Sequence, residues 1–279
     1  MRKALVVIGP VLLVIAFMPC LAGAGQEEIV AAIIDSRAAN KPLPNPSVSM
    51  PGLTEDAAYV IQVKLVEAMD KKGKKVGGYK AGLTSEGARK RFKATGALLG
   101  PMFKEGGLES GAVINSKDFV KLFLETEIGY STKEKITEPV KDVESLKALI
   151  KTVHPVIELP DIRFADMKKL TVADIVADGV GSSKYLVGKG VPAGKVDVNN
   201  IKVMLSLDGK TVNEGKGSDA SDDQWKALLW LINGVVKQGW SIAPDQILFT
   251  GALGQMIPGK PGKYEATYGD LGSVSFTVQ

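Results

Sequence analysis

The chain has 279 residues, of which 45% are hydrophobic and 24% charged, a composition typical of a folded globular protein with a sizeable core. Its 35 basic and 31 acidic residues nearly balance at a net charge of +4, which argues against a nucleic-acid partner. His154 is the only histidine, so a histidine-rich zinc site and a Ser-His-Asp triad with a free choice of base are both poorly supported.

The first 24 residues have the layout of a secretory signal peptide. Arg2 and Lys3 precede an apolar run over residues 4–18, and small residues then offer cleavage after Ala24. We therefore predict an exported, periplasmic protein whose mature form, residues 25–279, is a single domain. A retained N-terminal anchor is the alternative.

Two further features favour cleavage over anchoring. The apolar run is short for a bilayer span and is interrupted by Pro10, so no stable membrane anchor is expected after cleavage. Cys20 is the only cysteine, and it follows Pro19 where a lipoprotein would have a small residue. Cleavage removes this cysteine and lowers the net charge from +4 to +2, because Arg2 and Lys3 are the only charged residues that leave.

The remaining chain predicts a mixed succession of helices and strands. Helices are predicted over residues 27–37, from the N-cap Thr54 to Met69, and over 141–152 and 225–236; strands are predicted over 119–130, 155–159, 246–250, 264–268 and 273–278; a hairpin is predicted over 205–212, around the turn at Asp208-Gly209. Strands gathered around a few helices, without regular βαβ alternation, indicate an α+β fold. No linker or internal repeat divides it.

Three glutamates on two apolar segments are the strongest functional signal. Glu125 and Glu127 lie two residues apart in a predicted strand, so both carboxylates point to one face, and Glu158 lies in the next apolar run. Converging buried carboxylates repel each other, and a divalent cation is the simplest way to keep all three ionised. All-oxygen ligation suits Mg²⁺ or Mn²⁺. The spacing alone favours a different interpretation, an exposed face of an amphipathic strand, because Glu-x-Glu is common.

Six segments extend this signal along the chain. They are Gly78-Tyr-Lys-Ala-Gly-Leu-Thr-Ser85, Leu124-Glu-Thr-Glu-Ile-Gly-Tyr130, Pro155-Val-Ile-Glu-Leu-Pro-Asp-Ile-Arg163, Ile175-Val-Ala-Asp-Gly-Val-Gly-Ser-Ser-Lys-Tyr-Leu-Val-Gly188, Phe249-Thr-Gly-Ala-Leu253 and Leu271-Gly-Ser-Val-Ser-Phe-Thr-Val278. In this order they resemble the 2-oxopent-4-enoate hydratase and 4-oxalocrotonate decarboxylase branch of the fumarylacetoacetate hydrolase superfamily. The resemblance covers roughly residues 25–279, and six ordered motifs are far more specific than one.

The resemblance implies a mixed β-roll of the fumarylacetoacetate hydrolase type with flanking helices. It implies that Glu125, Glu127 and Glu158 hold a divalent metal. It also implies that Lys80 lies in the active site, where it would be the catalytic residue and would bind substrate. From the residues alone, Lys80 would be a solvent-facing lysine on a strand. It could donate a proton if burial beside the metal lowers its pKa.

The other candidate substrate-binding residues are less distinctive. Thr250 and Gly251 match a family segment that lines the pocket, although a turn after a strand explains them nearly as well. Asp161 and Arg163 are predicted to form an ion pair that supports the Glu158 strand, with a substrate carboxylate as the alternative partner of Arg163.

The chain also departs from the family pattern at two places. The hydratases usually have Pro-Asp-x-Gly where this chain has Ala97-Leu-Leu-Gly100, and Leu98 cannot move a proton as the aspartate is thought to do. They usually have Ala-Asp-Asn-Ala-Ser where this chain has Ala177-Asp-Gly-Val-Gly181, so an asparagine and a pocket serine are missing. Ser182 and Ser183 follow at once, and Ser182 is a candidate substrate-binding residue. The predicted metal framework is intact, while the residues around it differ.

The sequence therefore predicts a metal-dependent lyase, a hydratase or decarboxylase, that acts on a small 2-oxo acid or its enol by stabilising the enolate. The alternatives are a non-catalytic periplasmic 2-oxo-acid-binding protein and a hydrolase of a 1,3-diketone such as an acylpyruvate. The expected partner is this small molecule, and the sequence leaves open whether the protein is a homo-oligomer.

Overall fold

The computed structural model describes residues 22–279, so the predicted signal peptide lies outside the described residues except at its last three positions. The helices are α1 (Ala22–Ala39), α2 (Pro46–Ser49), α3 (Glu55–Lys71), α4 (Glu86–Phe92), α5 (Val143–Leu149), α6 (Val172–Ala177) and α7 (Gln224–Lys237). None of the helices within this range has the length and apolarity needed to cross a membrane.

Strands make up most of the remaining regular structure of residues 22–279. They are β1 (Val76–Gly82), β2 (Leu98–Phe103), β3 (Gly107–Leu108), β4 (Val113–Ile114), β5 (Phe123–Thr132), β6 (Ile150–Leu159), β7 (Lys184–Val187), β8 (Val191–Pro192), β9 (Lys202–Leu207), β10 (Lys210–Lys216), β11 (Ile247–Phe249), β12 (Ile257–Pro258), β13 (Gly262–Thr267) and β14 (Ser273–Val278).

The strands form two mixed sheets. The larger sheet has the order β2-β1-β11-β5-β6-β7-β3, with β12 paired to β5 and β8 paired to β6. The smaller sheet has the order β10-β9-β13-β14-β4. Pairing is parallel between β1 and β11 but antiparallel between β11, β5 and β6. Helices and strands are thus mixed without regular βαβ alternation, and the predicted α+β class is confirmed.

The two faces of the larger sheet are covered differently. On one face, Tyr79 and Leu248 belong to the main core, which also contains apolar residues of α7 and of the smaller sheet. Strand side chains alternate, so Lys80 points to the opposite face. At the β2 end of that opposite face, Leu98 packs into a second core with residues of α1, α3 and α6. The candidate site therefore lies on the face that the N-terminal helices cover.

Several local predictions are confirmed. The side chain of Thr54 caps α3 by accepting a hydrogen bond from the N–H of Ala57 at 3.2 Å. Asp208 and Gly209 have φ angles of 49° and 79°, as a type I′ hairpin turn between β9 and β10 requires.

Other local predictions were wrong at their boundaries. The predicted helix over residues 141–152 ends at Leu149, because the β-branched run from Ile150 instead joins β6. The predicted strand over 119–130 begins only at Phe123.

Helix α7 is buried along one side, while Trp230 on its other side remains 40% exposed.

Candidate metal centre

Strand pairing brings the three predicted glutamates together. Glu125 on β5 lies directly opposite Glu158 on β6, and Glu127 follows on the same face of β5. One carboxylate oxygen from each of the three lies within 4.8 Å of the other two. Glu127 and Glu158 are 0% exposed, and Glu125 is partly buried. The alternative interpretation, an exposed face of an amphipathic strand, is therefore wrong.

The hydrogen bonds of these carboxylates leave oxygens free at the centre of the cluster. Oε2 of Glu127 accepts the backbone N–H of Gly251 at 2.7 Å, and Oε1 of Glu158 accepts from Nζ of Lys80 at 2.6 Å. The second oxygens of Glu127 and Glu158 find no hydrogen-bond partner within residues 22–279. Buried unpaired carboxylate oxygens are costly, and hard divalent cations prefer such oxygen donors. The residues present thus fit a divalent metal.

The raised pKa values of the glutamates also favour a bound cation. Burial, and after it the charge of Glu158, raises the pKa of Glu125 to about 7. Burial and the charges of Glu158 and Glu125 raise the pKa of Glu127 well above its usual range. A cation among the carboxylates would relieve this repulsion. The cluster is therefore an acidic site that favours either protons or a metal ion.

Lys80 lies beside the cluster and is not solvent-facing. It is 3% exposed, and its ammonium contacts Glu158. Burial acts to lower the pKa of Lys80, but the charges of the three glutamates outweigh burial, and its pKa lies above the ordinary value. The lowering of its pKa by burial, considered from the sequence, does not occur in this arrangement. Lys80 is a buried cation.

The backbone of Gly251 contributes to the site. Its φ of 108° is a conformation that favours glycine, and a methyl group built on it would lie 2.3 Å from Oγ1 of Thr84. This conformation directs the Gly251 N–H to Glu127. From the sequence, Gly251 was a candidate pocket-lining residue only, and no local pattern indicated its contact with the predicted ligand Glu127.

The hydroxyls of the two other predicted substrate-binding residues bond within the protein. The side chain of Thr250 donates to Oε1 of Gln224 at 2.6 Å, and the same oxygen accepts from the hydroxyl of Tyr130 at 2.9 Å. The hydroxyl of Ser182 donates to the carbonyl of Gly179 at 2.6 Å, inside its own loop. Substrate contacts of Thr250 and Ser182 stay predictions.

Buried ion pairs hold two segments, residues 161–163 after β6 and the loop that begins at Asp178 after α6. Arg163 contacts Asp161 at 3.2 Å, which confirms the predicted pair, and the carboxylate of Asp161 also accepts the N–H groups of residues 120 and 121. Arg37 on α1 contacts Asp178 in the loop at 3.2 Å. This second pair was not predicted from the sequence, because its partners are 141 residues apart and neither lies in a pattern that suggests pairing.

The chain is similar in sequence to hydratases and decarboxylases. No protein-family model matches it. It is 26% identical over 235 residues to a 4-oxalocrotonate decarboxylase from a Pseudomonas species, covering 82% of this chain and 91% of the relative. It is 27% identical over 253 residues to a 2-keto-4-pentenoate hydratase from Paraburkholderia xenovorans strain LB400, covering 89% and 93%.

Solved structures share the fold. The 4-oxalocrotonate decarboxylase from Pseudomonas putida G7, complexed with magnesium and adipate, has a TM-score of 0.85 at 23% identity and covers 91% of this chain and 98% of its own. The fumarylpyruvate hydrolase from Pseudomonas aeruginosa, in complex with Mn²⁺ and pyruvate, has a TM-score of 0.55 at 12% identity and covers 72% and 88%. The predicted β-roll is thereby confirmed. The relatives thus confirm the resemblance of the chain to the hydratase and decarboxylase branch of the fumarylacetoacetate hydrolase superfamily, and the solved structures show the same fold.

Proposed function

We propose that the protein is a divalent-metal-dependent lyase, a hydratase or decarboxylase, acting on a small 2-oxo acid or its enol. The observation that carries the proposal is the buried cluster of Glu125, Glu127 and Glu158 with Lys80 against it. Relatives named as a hydratase and as decarboxylases are similar along at least four fifths of the chain.

The glutamates and Lys80 have different roles in this proposal. The glutamates would hold the metal, and Lys80 would face the negative charge of the substrate. The three glutamates would bind Mg²⁺ or Mn²⁺, which supplies a Lewis acid for the 2-oxo acid head group. The N–H of Gly251 orients the carboxylate of Glu127. Lys80, held by Glu158, places a positive charge where the enolate oxygen or the substrate carboxylate would carry negative charge. Glu125 is the partly exposed ligand, so substrate would enter from its side.

Leu98 supplies no proton to this reaction. It is 0% exposed, and its side chain packs among the apolar residues of α1, α3 and α6. A water molecule or a carboxylate on the Glu125 side of the cluster would have to carry the proton that an aspartate carries in the family pattern. The proposed chemistry therefore depends on the metal and Lys80 more than on a dedicated acid.

The two other functions considered from the sequence are less favoured. A non-catalytic binding protein and a hydrolase of a 1,3-diketone would both use the same cluster. The curated relatives described above carry the names of a decarboxylase and a hydratase. These names support lyase chemistry.

The test is turnover by the mature protein with Mg²⁺ or Mn²⁺. We expect loss of the ultraviolet absorbance of 2-hydroxypenta-2,4-dienoate, or release of CO₂ from 4-oxalocrotonate, and no activity after chelation. The exposed Glu109→Gln variant is the matched control for Glu127→Gln, which should be inactive. Tight oxalate binding without turnover of either substrate would contradict the lyase and support the binding protein.

We also propose that the protein is exported and cleaved after Ala24. The support is the order of Arg2-Lys3, the apolar run and the small residues that end at Ala24. The cleaved chain would begin at Gly25, inside α1. N-terminal sequencing of protein from fractionated native cells is the test, and an intact Met1 in the cytoplasmic fraction would contradict export.

A further inference from the structure

A cavity of about 360 Å³ lies at the end of β5 and β6 that is remote from the metal centre. Ser131 on β5 and His154 on β6 line it. Ser131 is four residues from Glu127, and His154 is four residues from Glu158, so strand alternation places the cavity and the glutamates on the same face of the sheet. Val156 lies between the two places on β6 and belongs to a small apolar cluster. The cavity is therefore separate from the metal centre.

The hydroxyl and imidazole groups on this wall bond to one another. Nδ1 of His154 donates to the carbonyl of Gly188 at 3.0 Å, because a carbonyl oxygen can only accept. Burial lowers the pKa of His154, so the ring is neutral at pH 7 and its Nε2 accepts from the hydroxyl of Thr152 at 2.7 Å. The oxygen of Thr152 then accepts from the hydroxyl of Ser131 at 2.5 Å. These three side chains leave no donor for a ligand.

Two further polar residues of the lining also have partners within the protein. The amide nitrogen and the amide oxygen of Gln246 bond to backbone groups at 3.0 Å and 2.8 Å. The carboxylate of Asp245 accepts from Nζ of Lys104 at 2.6 Å, so its negative charge is already balanced. Lys151, at the exposed rim of the cavity, pairs with no carboxylate in the part of the chain that the structure describes. The lining therefore carries a net positive charge.

Tyr185 on β7 supplies a buried hydroxyl that has no such partner. The residue is only 6% exposed, and a methyl group built on Gly77 would lie 2.7 Å from its hydroxyl oxygen. Burial, and after it the charge of Glu105, raises the pKa of Tyr185, and no hydrogen bond contributes to the shift. The hydroxyls of the five other tyrosines all bond to the protein. Buried hydroxyls are normally hydrogen-bonded, so the O–H of Tyr185 is a donor in need of an acceptor.

The rest of the lining is apolar. Val187, Pro244 and Ile247 line the same cavity as Tyr185 and Lys151. Small-molecule sites typically combine such apolar surface with a few polar groups that fix the orientation of the ligand. Here the free polar groups are a hydroxyl donor and an ammonium, and both recognise a negatively charged oxygen. A short hydrocarbon chain that ends in a carboxylate matches this lining.

We infer that this cavity is a second ligand site, separate from the metal centre, which binds a small monocarboxylate through the hydroxyl of Tyr185 and the ammonium of Lys151. The inference does not depend on the proposed function, because no glutamate of the metal centre takes part. One charge-assisted hydrogen bond, one exposed ion pair and a short buried chain predict a dissociation constant of about 1 mM.

The first experiment is an NMR titration of the mature protein, without a histidine tag and with a chelator present, with butanoate at constant pH. His154 is the only histidine, so the imidazole C–H signals report on this wall of the cavity alone. We expect a saturable shift with a dissociation constant of about 1 mM, and binding of butan-1-ol at least about tenfold weaker, because the alcohol lacks the charge. A shift that stays linear well beyond this concentration, or equal binding of butan-1-ol, would overturn the inference.

The second experiment removes the unpartnered hydroxyl. Tyr185→Phe loses no hydrogen bond within the protein, so its melting temperature should stay unchanged while butanoate binds at least about tenfold more weakly. Tyr264→Phe is the matched control, because Tyr264 is also buried but its hydroxyl accepts the N–H of Lys260, outside the cavity. Wild-type affinity in Tyr185→Phe, or an equal loss in both tyrosine variants, would contradict a site built on Tyr185.

A third variant separates the cavity from the metal centre. Glu127→Gln should bind butanoate like the wild-type protein, because Glu127 does not line the cavity. Loss of butanoate binding in Glu127→Gln would place the ligand at the metal centre and overturn the inference. Failure of the wild-type protein to bind Mg²⁺, with butanoate binding retained, would instead refute the proposed function and leave the second site intact.

Discussion

The two sides of Lys80 are built in different ways. On one side, Glu125, Glu127 and Glu158 lie on paired strands, and the hydrogen-bonded register of β5 and β6 fixes their spacing. On the other side, Val180 lies on a loop, at a backbone angle that its residue type disfavours. The strand side can hold a metal whatever the substrate is. The loop side contributes none of the three glutamates, so it can change without replacing a metal ligand.

Substitution of Lys80, the residue between the two sides, has the largest expected effect. Lys80→Met should lower kcat by about 10³-fold, because a buried cation that faces developing negative charge is removed. Metal affinity should not fall, since Lys80 competes with the metal for Glu158. Steady-state kinetics and calorimetry of the same preparation check both statements. Turnover insensitive to Lys80→Met would contradict its catalytic role.

Loss of one metal ligand on the strand side should have nearly as large an effect as loss of Lys80. Glu127→Gln should weaken Mg²⁺ binding by at least about 100-fold, because an amide supplies neither the charge nor the second oxygen donor of the carboxylate. Calorimetric titration with Mg²⁺ measures the effect. Equal affinity in wild type and Glu127→Gln would eliminate the metal site.

The shared face of Glu125 and Glu127 was predictable from strand period alone. Their role as metal ligands was predicted through the family resemblance, because the spacing alone favoured an exposed strand face. Glu158 was recognised through its motif, and its position opposite Glu125 depends on a strand pairing that no local pattern specifies. The loop side was not predictable. β-branched residues disfavour positive φ, so nothing in the sequence indicated that Val180 would adopt one. Burial of Lys80 was likewise missed from its local sequence, because it depends on residues distant in the chain such as Glu158, which contacts its ammonium.

A smaller effect is expected where the backbone supports a ligand. Gly251→Ala should weaken Mg²⁺ binding about tenfold, because the new methyl group would collide with Thr84 and displace the N–H that orients Glu127. Gly209→Ala is the matched control, since Gly209 also has a positive φ, 79°, but has no neighbouring atom within 4 Å of the added methyl group. If both variants bind Mg²⁺ like wild type, the N–H of Gly251 does not support the site.

The smallest expected effect is a dependence of stability on pH that the metal removes. The pKa of Glu125 is raised from an ordinary value of 4.5 to about 7, so the folded protein binds this proton more tightly than the unfolded chain does. The resulting stabilisation is complete below pH 4.5 and is lost as the pH rises through about 7. With a chelator present, the melting temperature should therefore fall over this interval.

Saturating Mg²⁺ should oppose that fall, because the ion binds the ionised carboxylates and stabilises the folded state more as the pH rises. Glu125→Gln removes one of the two carboxylates whose pKa is raised and should make the profile measured with chelator shallower, while Glu127 continues to contribute. Val180, on the loop side, has no titratable side chain, so Val180→Thr should keep the wild-type profile under both conditions. Thermal unfolding from pH 4.5 to 8 with these three proteins separates the two sides of Lys80. Identical slopes with chelator and with Mg²⁺ would show that the glutamates do not exchange protons for a metal.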